Sequence, residues 1–368
     1  MSYLDRVREA LRDFEARRLR RIARERSDAA EGVLLDFSSN DYLGLSDHHA
    51  VVAALHAARR VGSGGSRLLA GAFPEHAALE RDLAAFVGRE KALLFSSGYH
   101  AAIGTIGALS ALVGAAYSDA LNHACIIDGL RVTRLQRHIY PHASFADVRR
   151  GEDLHTGALV VSESIFGMDG DAVDLRAMVR ALGPEDVLLV DEAHAMGVVG
   201  EHGGGLAYGI DDQRVVVMGT LSKAFGALGG FVAGPAPLID YLQTSARTFI
   251  FDTALPPAVA EAARAAVFLA READAQRKHL TALGRRLREG LRALGYAVPD
   301  GIGPIVPVLV GEADPTLALA GRLRERGINA PPILPPTVPP GTCRLRVTLR
   351  AHHVFEDVDR LLAALEAG

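Results

Sequence analysis

Five short and almost purely apolar segments alternate with helical patterns between about residues 90 and 235. They cover residues 92–95, 158–161, 187–190, 215–218 and 231–233. Apolar runs of this length, bounded by turn residues, are typical of strands that are covered on both faces. Strands that alternate with helices form β-α-β units, whose sheets are mainly parallel. The sequence therefore predicts an α/β fold built on a mainly parallel sheet.

The sequence texture changes after Pro256 and Pro257. A long Ala/Leu/Arg helical pattern follows, and the remaining elements suggest a smaller α+β layer. Their approximate extents are a helical pattern at 259–294, a strand at 305–310, a helix at 316–326, a Pro-rich segment at 331–340, a strand at 344–349 and a helix at 354–366. We therefore predict an N-terminal helical segment (1–35), a large domain (36–257) and a small C-terminal domain (258–368).

Charge balance and cysteine content argue against several classes of protein. The chain of 368 residues has a formal net charge of -4, so no overall basic field favours binding to nucleic acid. Its two cysteines, Cys125 and Cys343, form no Cys/His cluster, so neither a disulfide framework nor a metal site is indicated. We predict a cytoplasmic protein with no nucleic-acid partner and no metal.

The stretch 92–118 carries no charged residue and is long enough to be considered as a membrane span. A polar turn at 96–100 and several glycines interrupt it, so we expect a buried strand, a turn and a buried helix instead. The N-terminus alternates acidic and basic residues and lacks the apolar core of a signal peptide. We expect an amphipathic helix there, and no association with a membrane.

One acidic and one basic side chain follow two of the predicted buried strands. Asp191 comes immediately after the strand 187–190, with His194 three positions further on, and Lys223 follows the strand 215–218. Ligands of open α/β sheets bind outside the carboxyl ends of the strands. Taken alone, Asp191 suits a helix cap, His194 a loop position and Lys223 a solvated surface. However, small and apolar residues surround Lys223 in the sequence. An amine that is shielded from water loses its proton more easily and can form a Schiff base.

A third strand end, at residues 93–100, enters a Gly-containing turn and then a helix. Backbone N–H groups at a helix start can hold a phosphate. A phosphate cradle, a strand-end acid and a lysine together are what pyridoxal phosphate (PLP) requires. Competing motifs are missing from the sequence, because neither G-x-x-x-x-G-K-[ST] nor G-x-S-x-G occurs.

Six motifs of the chain resemble those of the α-oxoamine synthases, PLP enzymes of fold type I, and the likeness covers nearly the whole sequence. It is closest to the branch of the family that serves biotin biosynthesis, chiefly through the Pro-rich motif. The motifs are residues 37–45, 62–67, 168–171, 191–197, 220–226 and 335–342.

The resemblance implies a role for each candidate residue around PLP. Lys223 would bind the cofactor covalently and act as base and acid at the amino-acid Cα, and Asp191 would keep the pyridine nitrogen protonated. His194 would hydrogen-bond the phenolic oxygen, and His123 would stack on the ring, although a histidine at that position also suits a helix cap or a core site. The expected phosphate ligands are Gly98, Tyr99, Thr220 and, from the opposite subunit of a homodimer, Thr253.

For the substrates, Asn40 and Arg346 match the positions that hold the amino-acid carboxylate. Arg344 lies two residues before Arg346 on the same predicted strand, and we expect only one of the two to face the site. Where the biotin branch commonly has arginine before Pro-Pro-Thr, this chain has Leu334. We expect Leu334 to weaken selection for an acyl chain with a distal carboxylate, unless N-terminal Arg20 or Arg21 supplies the missing charge.

The implied reaction condenses L-alanine with pimeloyl-CoA or pimeloyl-acyl carrier protein to give 8-amino-7-oxononanoate, with release of CoA (or the carrier thiol) and CO2. A second departure is Gly167, which stands where the family usually has serine. Alternatives therefore remain open: a sister synthase that joins glycine with acetyl-CoA, an enzyme for longer acyl chains, or a non-catalytic scaffold subunit with the same fold.

Overall fold

A central sheet lies in the middle of the molecule, as seen in a computed structural model that describes residues 1–17, 19–20, 34–145 and 157–367. Among these residues, seven strands form the sheet. From one edge to the other they are β2 (Lys91–Phe95), β8 (Gly230–Gly234), β7 (Val215–Thr220), β6 (Val187–Asp191), β5 (Ala158–Glu163), β3 (Ala115–Asp119) and β4 (Gln136–Tyr140).

Most strands of this sheet run in the same direction. The neighbouring pairs from β7 to β4 are parallel, whereas β8 is antiparallel to both β7 and β2. Alternate residues of the central strands belong to different cores: Val215 and Val217 pack on one face, Val216 and Met218 on the other. The predicted mainly parallel, doubly covered sheet is thus confirmed, and the carboxyl ends of all its strands except β8 meet at one edge.

The helices cover the two faces of this sheet and form much of the C-terminal part. In chain order they are α1 (Tyr3–Ala16), α2 (His49–Ala57), α3 (Pro74–Phe86), α4 (Gly98–Leu109), α5 (Ala124–Arg131), α6 (Leu175–Ala181), α7 (Ala236–Ser245), α8 (Arg247–Ile250), α9 (Pro257–Arg271), α10 (Asp274–Ala293), α11 (Ala313–Glu325) and α12 (Phe355–Glu366).

The C-terminal part adds a second, smaller layer. Strands β11 (Pro332–Ile333), β12 (Cys343–Thr348) and β9 (Ile305–Gly311) form an antiparallel sheet in that order. The short β1 (Leu35–Asp36) pairs with β10 (Ile328–Asn329), so the chain before the main sheet is tied to the C-terminal layer. One hydrophobic core runs between the two layers, since Val190, Ile305 and Leu345 belong to the same cluster. The domain boundaries at 35/36 and 257/258 remain a prediction.

The five predicted strands are confirmed with small changes at their ends. Strands β3 and β4 were not predicted. Strand β3 is buried, but its sequence Ala-Ala-Tyr-Ser-Asp has no run of large apolar residues. The Gln, Arg and His residues of β4 suit its exposed edge position better than an apolar core pattern. The helical pattern at 259–294 is two helices, since the chain breaks between Arg271 and Asp274.

The predicted N-terminal amphipathic helix is α1, and none of its residues is buried. Its start carries a capping box in which Ser2 and Asp5 bond each other's backbone N–H groups. The stretch 92–118 contains the predicted strand, turn and helix, and it ends in a second strand, β3, that was not predicted. Among the described residues, none of the helices combines the length and apolar character that crossing a membrane requires.

Candidate active site

The carboxyl ends of neighbouring parallel strands bring four polar side chains to one edge of the main sheet. Asp119 ends β3, Glu163 ends β5, Asp191 ends β6 and Thr220 ends β7. Lys223 follows in the turn just beyond β7. This edge is where the sequence predicts ligand binding, and the structure brings Asp191, Thr220 and Lys223 together there.

The Lys223 amine lies 2.8 Å from His194 Nε2. Burial of the amine lowers its pKa, and the nearby Arg346 cation lowers it further, while the carboxylates of Asp191 and Glu163 act in the opposite direction. An amine with a lowered pKa is more often neutral and hence nucleophilic at physiological pH. The structure therefore supports the prediction that the Lys223 amine loses its proton more easily than that of a solvated lysine.

His194 is a buried, neutral imidazole. Burial holds the pKa of His194 well below its usual range, and the charges of Lys223 and Arg346 contribute to the decrease. On the side away from Lys223, its Nδ1 lies 2.6 Å from the hydroxyl of Tyr42, which has no solvent exposure. Burial raises the pKa of Tyr42 to about 12, so the phenol keeps its proton.

Asp191 accepts a 2.9 Å hydrogen bond from the backbone N–H of Ala193 and is buried. Its negative charge acts on Lys223 and on His123, which places all three around the same space. A carboxylate held here suits a protonated ring nitrogen of a bound group.

His123 is the N-cap of α5, where its Nδ1 accepts from the backbone N–H of Cys125 at 3.2 Å. The structure thus confirms the helix-cap alternative for this residue. The residue remains exposed, so capping does not prevent the ring from contacting a ligand at the sheet edge.

The predicted phosphate cradle lies where α4 begins beside the end of β7. Ser97 caps α4 by accepting from the His100 N–H at 3.1 Å, and the first turn of a helix offers N–H groups without intrahelical partners. At Gly98 a Cβ would lie 3.1 Å from the Thr220 Cβ and 3.3 Å from its hydroxyl oxygen. Glycine at this position therefore lets the helix start approach the Thr220 hydroxyl closely.

Tyr99 and Thr253 are both exposed. The Tyr99 hydroxyl donates to Asp128 of α5, so only the backbone of Tyr99 is available at the start of α4. Next to Thr253, Asp252 accepts from Ser96 and lies 3.0 Å from His100. The loop with Thr253 is thereby attached to the start of α4 in its own chain.

Arg346 projects from β12 and reaches Asn40. Its Nη1 donates to the Asn40 side-chain oxygen at 3.0 Å and to the Thr348 hydroxyl at 2.9 Å, and its Nε donates to the carbonyl of Gly167. All three acceptors are neutral, and the guanidinium is buried. In the described part of the chain, Arg346 has no carboxylate partner within ion-pair distance.

Arg344 lies on the same face of β12, because residues two apart on a strand point to the same side. Its guanidinium pairs with Asp169. Both arginines therefore lie on one face of the strand, and of the two only Arg346 contacts Asn40. Arg20 pairs with Glu15 beside α1, so the structure does not bring it to the site, and Arg21 lies outside the described residues.

Two residues of this arrangement were missed in the sequence. Glu163 ends β5 as Asp191 ends β6, so the strand-end rule that selected Asp191 would have found it. Tyr42 lies within the motif 37–45, but nothing in its sequence context predicts a contact with His194, which is distant in the chain.

These residues fit PLP on the structure alone. The fit consists of a half-buried lysine whose amine has a lowered pKa, a buried strand-end carboxylate, and a helix start that packs on a threonine hydroxyl where a Cβ would leave little space. A group with an aldehyde, a basic ring nitrogen and a phosphate matches these donors and acceptors.

Comparisons with known proteins agree with this arrangement. Residues 33–365 match the family "aminotransferase class I and II". The chain is 48% identical over 343 residues to an 8-amino-7-oxononanoate synthase of Anaeromyxobacter dehalogenans, covering 91% of this chain and 86% of that protein. It is 42% identical over 387 residues to the enzyme of that name from Burkholderia lata, covering 99% and 96%.

Solved structures give the same fold. A serine palmitoyltransferase of Sphingomonas wittichii superposes with a TM-score of 0.87 at 30% identity, covering 100% of this chain and 97% of that chain. The 8-amino-7-oxononanoate synthase of Francisella tularensis superposes with a TM-score of 0.77 at 25% identity, covering 91% and 97%. A further neighbour is a serine palmitoyltransferase described with its PLP internal aldimine.

Proposed function

The chain belongs to the aminotransferase class I and II family and, within it, to the α-oxoamine synthases, and on that premise we propose that it makes 8-amino-7-oxononanoate. The substrates are L-alanine and a pimeloyl thioester of CoA or acyl carrier protein. A carbon–carbon bond forms between the alanine Cα and the thioester carbonyl carbon. The thiol leaves, and the alanine carboxylate is lost as CO2.

The observation that carries this proposal is the buried Arg346 guanidinium, whose described partners are all neutral. A buried charge without a counter-charge is costly, and a substrate carboxylate would complete the pair with two parallel hydrogen bonds. Asn40 lies beside the guanidinium, and the Arg346 charge lowers the pKa of the nearby Lys223 amine. An amino acid bound through its carboxylate would thus have its Cα near Lys223.

The cofactor would be held by residues from several elements. Lys223 would bind it covalently, Asp191 would face its ring nitrogen, His194 its phenolic oxygen and His123 its ring face. Its phosphate would be held by the backbone N–H groups of Gly98 and Tyr99 and by the Thr220 hydroxyl. When bound, PLP supplies an electron sink that stabilises negative charge at the amino-acid Cα.

The protein residues then handle protons and orientation. Because burial lowers the pKa of Lys223, its amine can take the proton from the alanine Cα and return a proton to that carbon after CO2 is lost. Arg346 and Asn40 orient the carboxylate, and Asp191 keeps a negative charge at the far end of the site. The neutral His194 adds a hydrogen bond without adding a charge.

The choice of acyl donor is the part of the proposal with the strongest rival. Leu334 replaces an arginine common in the biotin branch, and structural neighbours include serine palmitoyltransferases. A synthase for serine and a long acyl chain is therefore the second candidate. The higher identity to curated 8-amino-7-oxononanoate synthases supports the pimeloyl assignment.

We also propose that the protein works in the cytoplasm as a homodimer with shared active sites, in which Thr253 contacts the phosphate in the neighbouring subunit. Large apolar side chains are exposed near the loop that bears Thr253. Phe251 is 71% exposed, and Val61 and Leu69 are 90% and 85% exposed. A backbone bond from Ala254 to Gly65 holds the two segments together. A second copy of the chain would cover this surface.

The test is a substrate panel with product identification by mass. Purified protein with PLP is incubated with alanine, glycine or serine against pimeloyl-, acetyl-, octanoyl- and palmitoyl-CoA, and with pimeloyl-acyl carrier protein. The proposal predicts 8-amino-7-oxononanoate from alanine and a pimeloyl thioester as the dominant product. Preferential formation of a long-chain ketone from serine would instead establish the rival.

A further inference from the structure

A continuous hydrogen-bond path joins the carboxylate-binding residues to the lysine. Arg346 Nη1 lies 3.0 Å from the Asn40 side-chain oxygen, and that oxygen lies 3.4 Å from the Tyr42 hydroxyl. The Tyr42 hydroxyl lies 2.6 Å from His194 Nδ1. His194 Nε2 then lies 2.8 Å from the Lys223 amine. Every residue on this path except Asn40 and Lys223 is buried.

The proton of the Tyr42 hydroxyl has two acceptors available on this path, His194 Nδ1 and the Asn40 oxygen. Arginine only donates hydrogen bonds, so the Arg346 contact identifies the oxygen of the Asn40 amide. The contact with His194 is 2.6 Å and that with Asn40 is 3.4 Å. The geometry therefore favours donation from Tyr42 to His194 Nδ1.

Arg346 acts on this pair in two ways. Its Nη1 donates to the Asn40 oxygen and so occupies the competing acceptor of the Tyr42 proton. Its positive charge also opposes the rise that burial causes in the pKa of Tyr42. A phenol close to a cation is a stronger hydrogen-bond donor, so the bond from Tyr42 to His194 gains strength.

We propose that Tyr42 is a positioning residue that holds His194 in the tautomer with its proton on Nε2, aimed at the Lys223 amine. A neutral imidazole carries one proton, so an Nδ1 that accepts from Tyr42 leaves the proton on Nε2. The N–H at Nε2 then needs an acceptor, and a neutral Lys223 amine 2.8 Å away provides one.

For the enzyme, this arrangement connects the two ends of the site. A carboxylate that binds Arg346 competes for the N–H group that now binds the Asn40 oxygen. The change reaches His194 through the Tyr42 hydroxyl, which lies between that oxygen and His194 Nδ1. Its bearing on the reaction rests on the proposed function, but the tautomer itself does not.

The decisive measurement is the 15N NMR spectrum of the histidine rings in the full chain, free of PLP, with the His194 signals assigned from a His194→Gln sample. We expect Nε2 to be the protonated nitrogen at pH 7.5. A wild-type His194 protonated at Nδ1 would overturn the proposal without any further variant. Because no substrate is involved, this outcome is separate from the substrate panel, which alone tests the proposed function.

The variant Tyr42→Phe removes only the hydroxyl. We expect a mixture of His194 tautomers in this variant, and with PLP bound we expect the pH midpoint of the visible absorbance change to move by about one unit, a tenfold change in the equilibrium. The matched control is Tyr140→Phe, because Tyr140 is also buried and its hydroxyl donates to the Val161 carbonyl at 3.3 Å.

A merely structural role for Tyr42 would lower stability in both phenylalanine variants and leave the tautomer and the absorbance midpoint unchanged. That result would contradict the proposal. If Tyr42→Phe does not fold, the wild-type tautomer decides the question.

Discussion

Glu163 and Asp191 occupy directly paired positions at the carboxyl ends of the neighbouring parallel strands β5 and β6. Both are buried, and the Glu163 carboxyl accepts from the backbone N–H of Gly167 at 3.3 Å. Burial, followed by the Asp191 charge, raises the pKa of Glu163 to about 8. The structure thus places one carboxyl that favours its neutral form beside another that faces the ligand space.

The first prediction concerns Glu163→Gln. The folded state holds the Glu163 proton up to about pH 8, while the unfolded chain releases it near pH 4.5, so the free energy of unfolding decreases as pH rises through this window. The glutamine variant lacks this decrease. We expect the difference between the variant and the wild type to grow by roughly 3 kcal/mol between pH 5 and pH 8.

Urea denaturation of both proteins at several pH values measures this difference. Glu185→Gln is the control, because Glu185 is exposed on the surface. Parallel stability curves for the wild type and Glu163→Gln would contradict the assignment of a neutral Glu163.

The second prediction concerns His142, which bridges two carboxylates. Its Nδ1 lies 3.0 Å from Asp119 and its Nε2 lies 2.6 Å from Asp171, and these bonds raise the pKa of His142 to about 10. The stabilisation is complete below pH 6.5, where the unfolded histidine is also charged, and it is lost as pH rises through 10. We expect His142→Gln to cost about 2 kcal/mol at pH 7 and much less at pH 10.

Chemical denaturation at the two pH values gives both numbers. His138→Gln provides the comparison, since the His138 ring stacks on Tyr117. A penalty for His142→Gln that is equal at both pH values would mean that the bridge does not depend on charge.

The third prediction concerns the cofactor. Lys223→Ala should retain the fold and lose all PLP that can be trapped by borohydride, because the described sheet edge presents no other lysine. Asp191→Asn should still bind PLP but lose turnover by about a hundredfold or more, since a neutral amide stabilises a ring cation poorly. Mass spectrometry of trapped peptides and steady-state rates measure the two effects. PLP found on another lysine, or near wild-type rates for Asp191→Asn, would refute the corresponding role.

The fourth prediction tests the shared site. A Lys223→Ala chain is mixed with a Thr253→Ala chain under conditions that exchange subunits. If Thr253 serves the neighbouring subunit, each mixed dimer has one site with both defects and one site with neither, and activity rises above the mean of the two parents. If Thr253 serves its own chain, every site keeps one defect, and mixing restores nothing.

The fifth prediction concerns Leu334, which is half-buried and which we propose lies beside the acyl chain of the substrate. An arginine at this position would neutralise a distal carboxylate of that chain. We expect Leu334→Arg to shift kcat/KM toward pimeloyl-CoA relative to octanoyl-CoA by about tenfold, which corresponds to ~1.4 kcal/mol. Leu334→Met controls for the change in side-chain length. A strong preference of the wild type for pimeloyl-CoA, unchanged in Leu334→Arg, would show that Leu334 has no part in this selection.

The apolar strands of the main sheet could be predicted because each is covered on both faces, and the residues at their ends followed from the direction of the strands. Strand β4 escaped prediction because an edge strand carries polar residues, and β3 escaped prediction because Ser118 and Asp119 interrupt its apolar character although it is buried. The role of Arg344 was predicted incompletely, since its pairing with Asp169 depends on how β12 packs against residues 167–169. The Tyr42–His194 contact joins segments that are 152 positions apart, and only the tertiary fold brings them together.

Strand β12 supplies Arg346, which would hold the substrate, while Lys223 follows a strand of the main sheet. The hydrogen bonds between β12 and β9 fix the register of β12. Side chains alternate across a strand, so a shift of β12 by one residue would direct Val347 or Leu345 toward Asn40 and turn the guanidinium to the opposite face. Recognition of a carboxylate by Arg346 would therefore depend on the length of the chain between β9 and β12 as much as on the identity of residue 346. An insertion or deletion in that connection that altered the register would abolish substrate binding with every site residue still present.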